Sequence, residues 1–150
     1  MEPGHIVGLL GRNGAGKTTL MKLMAGFLNP VSGSVKVNGF TPFDRDINFL
    51  DTIAYVPEDF RLPQITIEQL GKQYGQFYSR FQESFYNELV SMFELKPDMN
   101  LTKISFGQNK KAMIAFTLAT CPSMLFLDEP TNGLDIPAKQ VLRTALLKYM

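Results

Sequence analysis

The sequence predicts an α/β fold, a mostly parallel sheet with helices on both faces and an inserted helical subdomain. Three observations carry that expectation. The apolar run Ile6-Val7-Gly8-Leu9-Leu10 reads as a buried strand, and it leads through a glycine-rich loop into a stretch of helical period. A second apolar run, Ser123 to Leu127, ends in Asp128-Glu129, and a carboxylate at the carboxyl end of a parallel strand lies where open α/β sheets bind ligands. Between them, residues 61–120 are dense in aromatics at helical spacing. The expected division is one domain over 1–150, with an α/β core of 1–60 and 121–150 and a helical subdomain of 61–120.

The elements follow in order. After the loop, Leu20, Met21, Leu23, Met24, Phe27 and Leu28 share one helical face, and the helix is expected to end near Asn29-Pro30. Ser34 to Asn38 alternates like a strand, closed by the tight-turn pair Asn38-Gly39. A short helix is expected over Asp44–Leu50 and a strand over Thr52–Val56. Thr66-Ile-Glu-Gln69 is a capping box, with Ile67, Leu70, Tyr74, Phe77 and Tyr78 at helical spacing after it. Phe85, Leu89, Met92 and Phe93 mark a second helix, which stops before Pro97. Most of these aromatics should be core, and a few are expected to form an exposed docking surface. Ser105-Phe-Gly-Gln108 is another capping box, opening a helix with Ala112, Ala115, Phe116 and Ala119 on its buried stripe. Lys110 and Lys111 sit near its start, where cations oppose the helix dipole, a hint of an anion arriving from outside. Asp135 should cap a last helix that has Pro137 in its first turn.

Bulk composition narrows the function classes. With 150 residues, 45% apolar and 19% charged, the chain can bury a core and is globular. A net charge of +1 gives no electrostatic reason to expect nucleic acid. The single cysteine, Cys121, rules out an intrachain disulfide and fits a reducing compartment. No apolar run is long enough to span a membrane.

The chemistry concentrates in Gly11 to Thr19, which fits G-x-x-x-x-G-K-[ST]. Gly11, Gly14 and Gly16 allow backbone conformations that a Cβ forbids. The N–H groups of the loop, through Asn13, Ala15 and Thr19, then surround an anion at a helix start. Lys17 supplies a point charge for β- and γ-phosphates, and the Thr18 hydroxyl can ligate Mg²⁺. Asp128 would hold that cation, and Glu129 could polarise an attacking water; in-line attack on a γ-phosphate needs mainly positioning and charge neutralisation.

In combination, Gly11–Thr19, Ser105–Gln108, Leu125–Pro130 and Asn132–Asp135 resemble the Walker A, signature, Walker B and D-loop segments of an ATP-binding-cassette (ABC) ATPase. The resemblance covers nearly the whole chain. It implies a P-loop NTPase (RecA-like) fold with ATP and Mg²⁺ as ligands, Thr18 and Asp128 at the metal, and Lys17 and Glu129 as catalytic groups. It also implies that Ser105, Gly107 and Gln108 face the γ-phosphate held by a second subunit, with Asp135 at that interface. The partners would be a second ABC ATPase domain, the same or different, and an integral membrane permease, with no nucleic acid. The location would be cytoplasmic, peripheral at the inner face of a cell membrane, in a bacterium. Glu58 stands where the family usually has a metal-sensing Gln, so it joins the metal and catalytic candidates with an added negative charge. Phe106 replaces a glycine of the usual signature. Both variants are similar to a bacterial subgroup serving small export-type permeases.

The adenine-stacking aromatic, normally upstream, and the switch histidine, normally a strand beyond the D-loop, have no counterpart in these 150 residues. A fragment or truncated gene model is therefore expected, with weak nucleotide binding and unpaired sheet edges. Two alternatives compete with a transporter ATPase. A soluble ABC ATPase acting on ribosomes or DNA would tend to carry two cassettes, long coiled coils or basic arms; these 150 residues show none, and the spacing from Lys17 to Asp128 is too short for a coiled-coil insertion. A nucleotide-binding relic with little hydrolysis is favoured by Glu58 and opposed by Glu129. A generic P-loop kinase or GTPase leaves Ser105–Gln108 unexplained.

Overall fold

The computed structural model describes residues 5–149; Met1–Gly4 and Met150, counted in the expected core, lie outside them. Two parallel strands form the sheet: β1 (Ile53–Val56) and β2 (Met124–Leu127), in register from Ile53↔Met124 to Val56↔Leu127. A parallel pair needs a long crossover. Here it consists of α3 (Ile67–Gln69), α4 (Glu83–Met92) and α5 (Phe106–Ala119), while α1 (Lys17–Met24) and α2 (Ile47–Leu50) precede β1 and α6 (Ile136–Tyr149) follows β2.

The buried core joins these pieces into one cluster. Val56 of β1, Ile67, Leu89, Phe93, Ile114 and Leu118 of the crossover, and Leu142 of α6 all belong to it. α5 is central: it packs on α4, β1 and α6, and its buried positions run around the helix rather than along one stripe. That pattern is the one expected of a helix with neighbours on several sides.

Several expected elements form as read. Both capping boxes are present, with Gln69 N–H donating to Thr66 Oγ1 at 3.1 Å and Gln108 N–H to Ser105 Oγ at 3.2 Å. Asp135 caps α6 by accepting the Ala138 N–H at 2.8 Å. Asp46 caps the short α2 through the Asn48 N–H, also at 2.8 Å. Asn38 and Gly39 take φ of 50° and 84°, the positive pair that a tight reversal requires.

Others differ. Ile6–Leu10 is neither buried nor part of the sheet, and Leu10 is 94% exposed. An apolar run becomes a strand only where a ladder partner takes its backbone groups, and β2 pairs with β1 alone among the described residues. Ser34–Asn38 likewise contributes one bridge, Val37↔Phe40, and no strand. The first helix stops at Met24, short of Asn29. Gly26 N–H reaches Leu23 O and Phe27 N–H reaches Lys22 O, a Schellman stop. Gly26 has φ of 76°, and a Cβ there would lie 2.2 Å from the Pro42 carbonyl oxygen, so the chain turns where only glycine fits.

The helix after Thr66 is also shorter than its spacing suggests. α3 has three residues, then widens to a π turn over Leu70–Tyr74 and tightens to a 3₁₀ turn over Gly75–Phe77. The Tyr86 ring fills the space beside Gly71, where a Cβ would lie 2.6 Å from it, and its hydroxyl donates to Ile67 O at 2.7 Å. Tyr74 and Phe77 lie at the surface, Phe77 75% exposed, while Tyr78 keeps an edge-on contact with the buried Phe116.

Candidate active site

The phosphate-loop pattern sits on an exposed turn. Gly14 and Gly16 have φ of 79° and 90°, and Ala15 N–H closes on Arg12 O at 3.1 Å. Gly11, Asn13, Gly14, Ala15, Gly16 and Thr19 are all solvent-facing. Lys17 opens α1 and folds back, its Nζ donating to Gly11 O at 2.8 Å and Arg12 O at 3.0 Å. The ammonium is thus held over the loop by the loop's own carbonyls.

Thr18 donates its hydroxyl to Asp128 Oδ1 at 3.1 Å, joining positions 110 apart in sequence. β2 delivers Asp128: its N–H continues the ladder to Val56 O at 2.9 Å, and the residue is 3% exposed. Tyr55 donates to the other oxygen, Oδ2, at 3.1 Å. The register pairs Tyr55 with Phe126, and side chains two apart share a face, so Tyr55 and Asp128 meet diagonally. Burial first, then the Asp128 charge and the hydrogen bond, push the Tyr55 hydroxyl up to about 12, so it remains a donor. A hydroxyl and a carboxylate are hard oxygen donors of the kind Mg²⁺ takes. Among the described residues no group of three His, Cys, Asp or Glu could hold a metal by itself. A cation at Thr18 and Asp128 would therefore draw its other ligands from water and phosphate.

Glu129 follows with φ of 46°, a left-handed conformation costing a non-glycine residue about 1–3 kcal/mol. It lines a cleft of about 370 Å³ with Asn13, Glu58, Thr131, Asn132 and Lys139. In that cleft Asn132 Nδ2 donates to Glu58 Oε1 at 2.9 Å. Two carboxylates, an asparagine of the phosphate loop and a lysine of α6 thus meet beside Asp128.

Ser105, Gly107 and Gln108 line a second cleft, of about 620 Å³, with Phe106, Lys111, Gly133 and Asp135. Gly107 is needed there, since a Cβ would lie 2.6 Å from Gly133 O. The two clefts share no lining residue. They adjoin at the 131–135 turn, where Asn132 lines the first and Gly133 the second.

The lysines of α5 do not behave as a call for an outside anion. Lys110 turns inward, fully buried, and its Nζ donates to Pro57 O at 3.0 Å and Glu58 O at 3.2 Å. Burial lowers its pKa, opposed by the charges of Glu58, Asp128, Asp59 and Glu129. Lys111 pairs with Asp135 Oδ2 at 3.4 Å. Both cations are compensated within the chain. Tyr55 and Lys139 are site residues that sequence reasoning passed over, and Lys110 and Asn132 are ones it named without their contacts to Glu58. Only Tyr55 left a usable signal, a polar-tipped residue in the strand expected beside the acidic one.

The sequence profile described as "ABC transporter" matches residues 1–132. The ABC transporter ATP-binding protein YtrB of Bacillus subtilis (strain 168) is 31% identical over 136 residues, covering 90% of this chain and 46% of that protein. The probable multidrug ABC transporter ATP-binding protein YbhF of Escherichia coli (strain K12) is 36% identical over 141 residues, covering 90% of this chain and 24% of the relative. Among solved structures, an ATP-binding subunit of an ABC transporter superposes with a TM-score of 0.81 at 28% identity, over 93% of this chain and 61% of that one. The chain spans about half the length of YtrB and about a quarter of YbhF.

Proposed function

The chain belongs to the ABC transporter ATPase family, and from that premise we propose that it binds Mg-ATP and hydrolyses it in a head-to-tail dimer that drives a separate membrane permease. The observation that supports this best is the Thr18–Asp128 hydrogen bond, which brings the phosphate loop and the acidic strand end to one point. The family supports the dimer: nucleotide on Lys17 and Thr18 of one protomer would meet Ser105, Gly107 and Gln108 of another, identical or merely similar, and these three line a cleft that no phosphate-loop residue lines.

In this reading the loop N–H groups and Lys17 bind the phosphates, the ammonium exchanging its carbonyl partners for phosphate oxygens. Thr18 and Asp128 would hold Mg²⁺, which when bound neutralises charge on the β- and γ-phosphates. Tyr55 keeps the Asp128 carboxylate oriented. Glu129, at the open cleft, takes the proton of the attacking water, and its left-handed backbone aims the carboxylate away from the strand. Glu58 shares the cleft and adds a second carboxylate near the metal side.

Among the described residues no helix is long and apolar enough to cross a membrane, and the permease in this reading is a separate partner, as the family implies. The exposed Tyr74, Phe77 and Tyr78 suit such docking, at the cytoplasmic face of the membrane. The test is Glu129→Gln with Mg-ATP, followed by size exclusion with light scattering. Removing the base while keeping its shape should yield a dimer that appears only with ATP. A protein that stays monomeric with ATP bound would overturn the dimer, and one that binds no ATP would overturn the whole reading.

A further inference from the structure

We propose that Lys110 is a positioning residue for Glu58: clamped on the Pro57 and Glu58 carbonyls, it ties the signature helix to the loop that carries this carboxylate. The inference rests on the ATPase reading above, in which Glu58 belongs to the metal side of the site.

The geometry is a closed ring of contacts. Lys110 Nζ donates to Pro57 O at 3.0 Å and to Glu58 O at 3.2 Å. It also lies 5.5 Å from the centroid of the Phe60 ring. Phe60 in turn packs on Phe106 with centroids 5.8 Å apart. Phe106 closes on the turn after the acidic strand, where a Cβ on Gly133 would come within 2.8 Å of the ring. The neighbouring Asn132 returns to the start by donating to Glu58 Oε1 at 2.9 Å. Glu58 is therefore held twice, by its backbone from α5 and by its side chain from the 131–135 turn.

Chemistry explains why a lysine does this. The loop after β1 leaves strand pairing at Val56, so the Pro57 and Glu58 carbonyls need a donor from elsewhere. An ammonium has three N–H bonds on a flexible stem and can serve both carbonyls together. Burying it is costly unless it is bonded in this way. The same ring gives the bulky Phe106 a role: it spans from the Phe60 loop to Gly133, which a glycine at that position could not do.

Three variants of the full chain test the assignment: Lys110→Met, which keeps the stem and removes the donors; Lys110→Gln, which keeps an N–H donor without the charge; and Lys110→Met combined with Glu58→Ala. Lys110→Met should lower kcat about tenfold or more, as misplacement of a site group does, while KM for Mg-ATP stays within about twofold. Lys110→Gln should recover most of that loss. In the Glu58→Ala background, Lys110→Met should cost nothing further, because there is no carboxylate left to position. Independent, multiplying losses from the two changes, or no recovery by Lys110→Gln, would overturn the proposal. Amide exchange of residues 58–60 decides the matter without turnover. Lys110→Met should speed it about tenfold relative to wild type, with Lys110→Gln close to wild type. Equal exchange in wild type and Lys110→Met would refute the clamp. If the wild type neither binds nor hydrolyses Mg-ATP, the ATPase reading fails by itself, and exchange still decides whether Lys110 holds the loop.

Discussion

The phosphate loop with α1 and the signature segment with α5 are both glycine-bearing turns that start helices, yet they are built differently. α1 has eight residues, none buried, and Gly16 at its N-cap offers no side chain. α5 has fourteen residues, eight of them buried, and a reciprocal capping box at its start. The difference follows from what each must present. A loop that wraps a phosphate has to leave its backbone N–H groups open, and so cannot use them on a cap or hide them in a core. In the proposed dimer the signature segment would meet a ligand carried by another chain and would need a fixed platform, which burial of α5 among β1, α4 and α6 supplies.

That contrast can be broken from either side. The largest effect should come from Leu118→Ala on α5, which truncates a fully buried side chain and should cost about 2–5 kcal/mol of stability. Leu10→Ala, beside the phosphate loop, should stay within about 0.5 kcal/mol. Denaturant unfolding followed by circular dichroism checks both, and a loss at Leu10 comparable to that at Leu118 would show that the loop side is packed after all. Lys17→Ala should reverse the pattern, leaving stability unchanged while weakening ATP binding by about 100-fold or more, read with a fluorescent nucleotide. Next in size, Ser105→Ala should cost about 1 kcal/mol, since the Gln108 N–H loses its side-chain acceptor. α1 has no comparable group to lose.

The smallest effect sharpens the link between the two halves. Tyr55 holds Asp128, and its hydroxyl is raised from 10.0 to about 12. A raised folded-state value means that the neutral form is stabilised. Its contribution is complete below the unfolded value near 10 and is lost as pH climbs through about 12. Tyr55→Phe should therefore flatten the fall of melting temperature over that alkaline window. An unchanged slope would place the strain on Tyr86 or Tyr149, whose hydroxyls burial also raises.

Much of the candidate site was legible because its signals are local. Gly11–Thr19, Asp128-Glu129, both capping boxes, the Asp135 cap and the Asn38-Gly39 turn each rest on residues within a few positions of one another, so spacing alone identifies them. Lys110 shows where that stops. Its spacing places it in the first turns of α5 and hints at an incoming anion there, but says nothing of where its ammonium goes. Whether a lysine points outward depends on what lies 50 residues away, here two carbonyls beyond β1. Which of the aromatics at residues 74–78 face outward follows from the π and 3₁₀ turns that replace a regular helix there, a change of pitch their spacing does not announce.

The sequence by itself determined the family, the phosphate loop, the acidic strand end and the helix starts, since each is written in short-range chemistry of glycine, hydroxyl and carboxylate groups. Only the tertiary structure decided which apolar runs become strands. Ile6–Leu10 and Ile53–Val56 look alike as sequence, but a strand exists through the backbone hydrogen bonds of its neighbour, and only the second has one here. It also decided that Glu58 is gripped by Asn132 and Lys110. Those outcomes depend on long-range packing, which residue spacing along a chain does not encode.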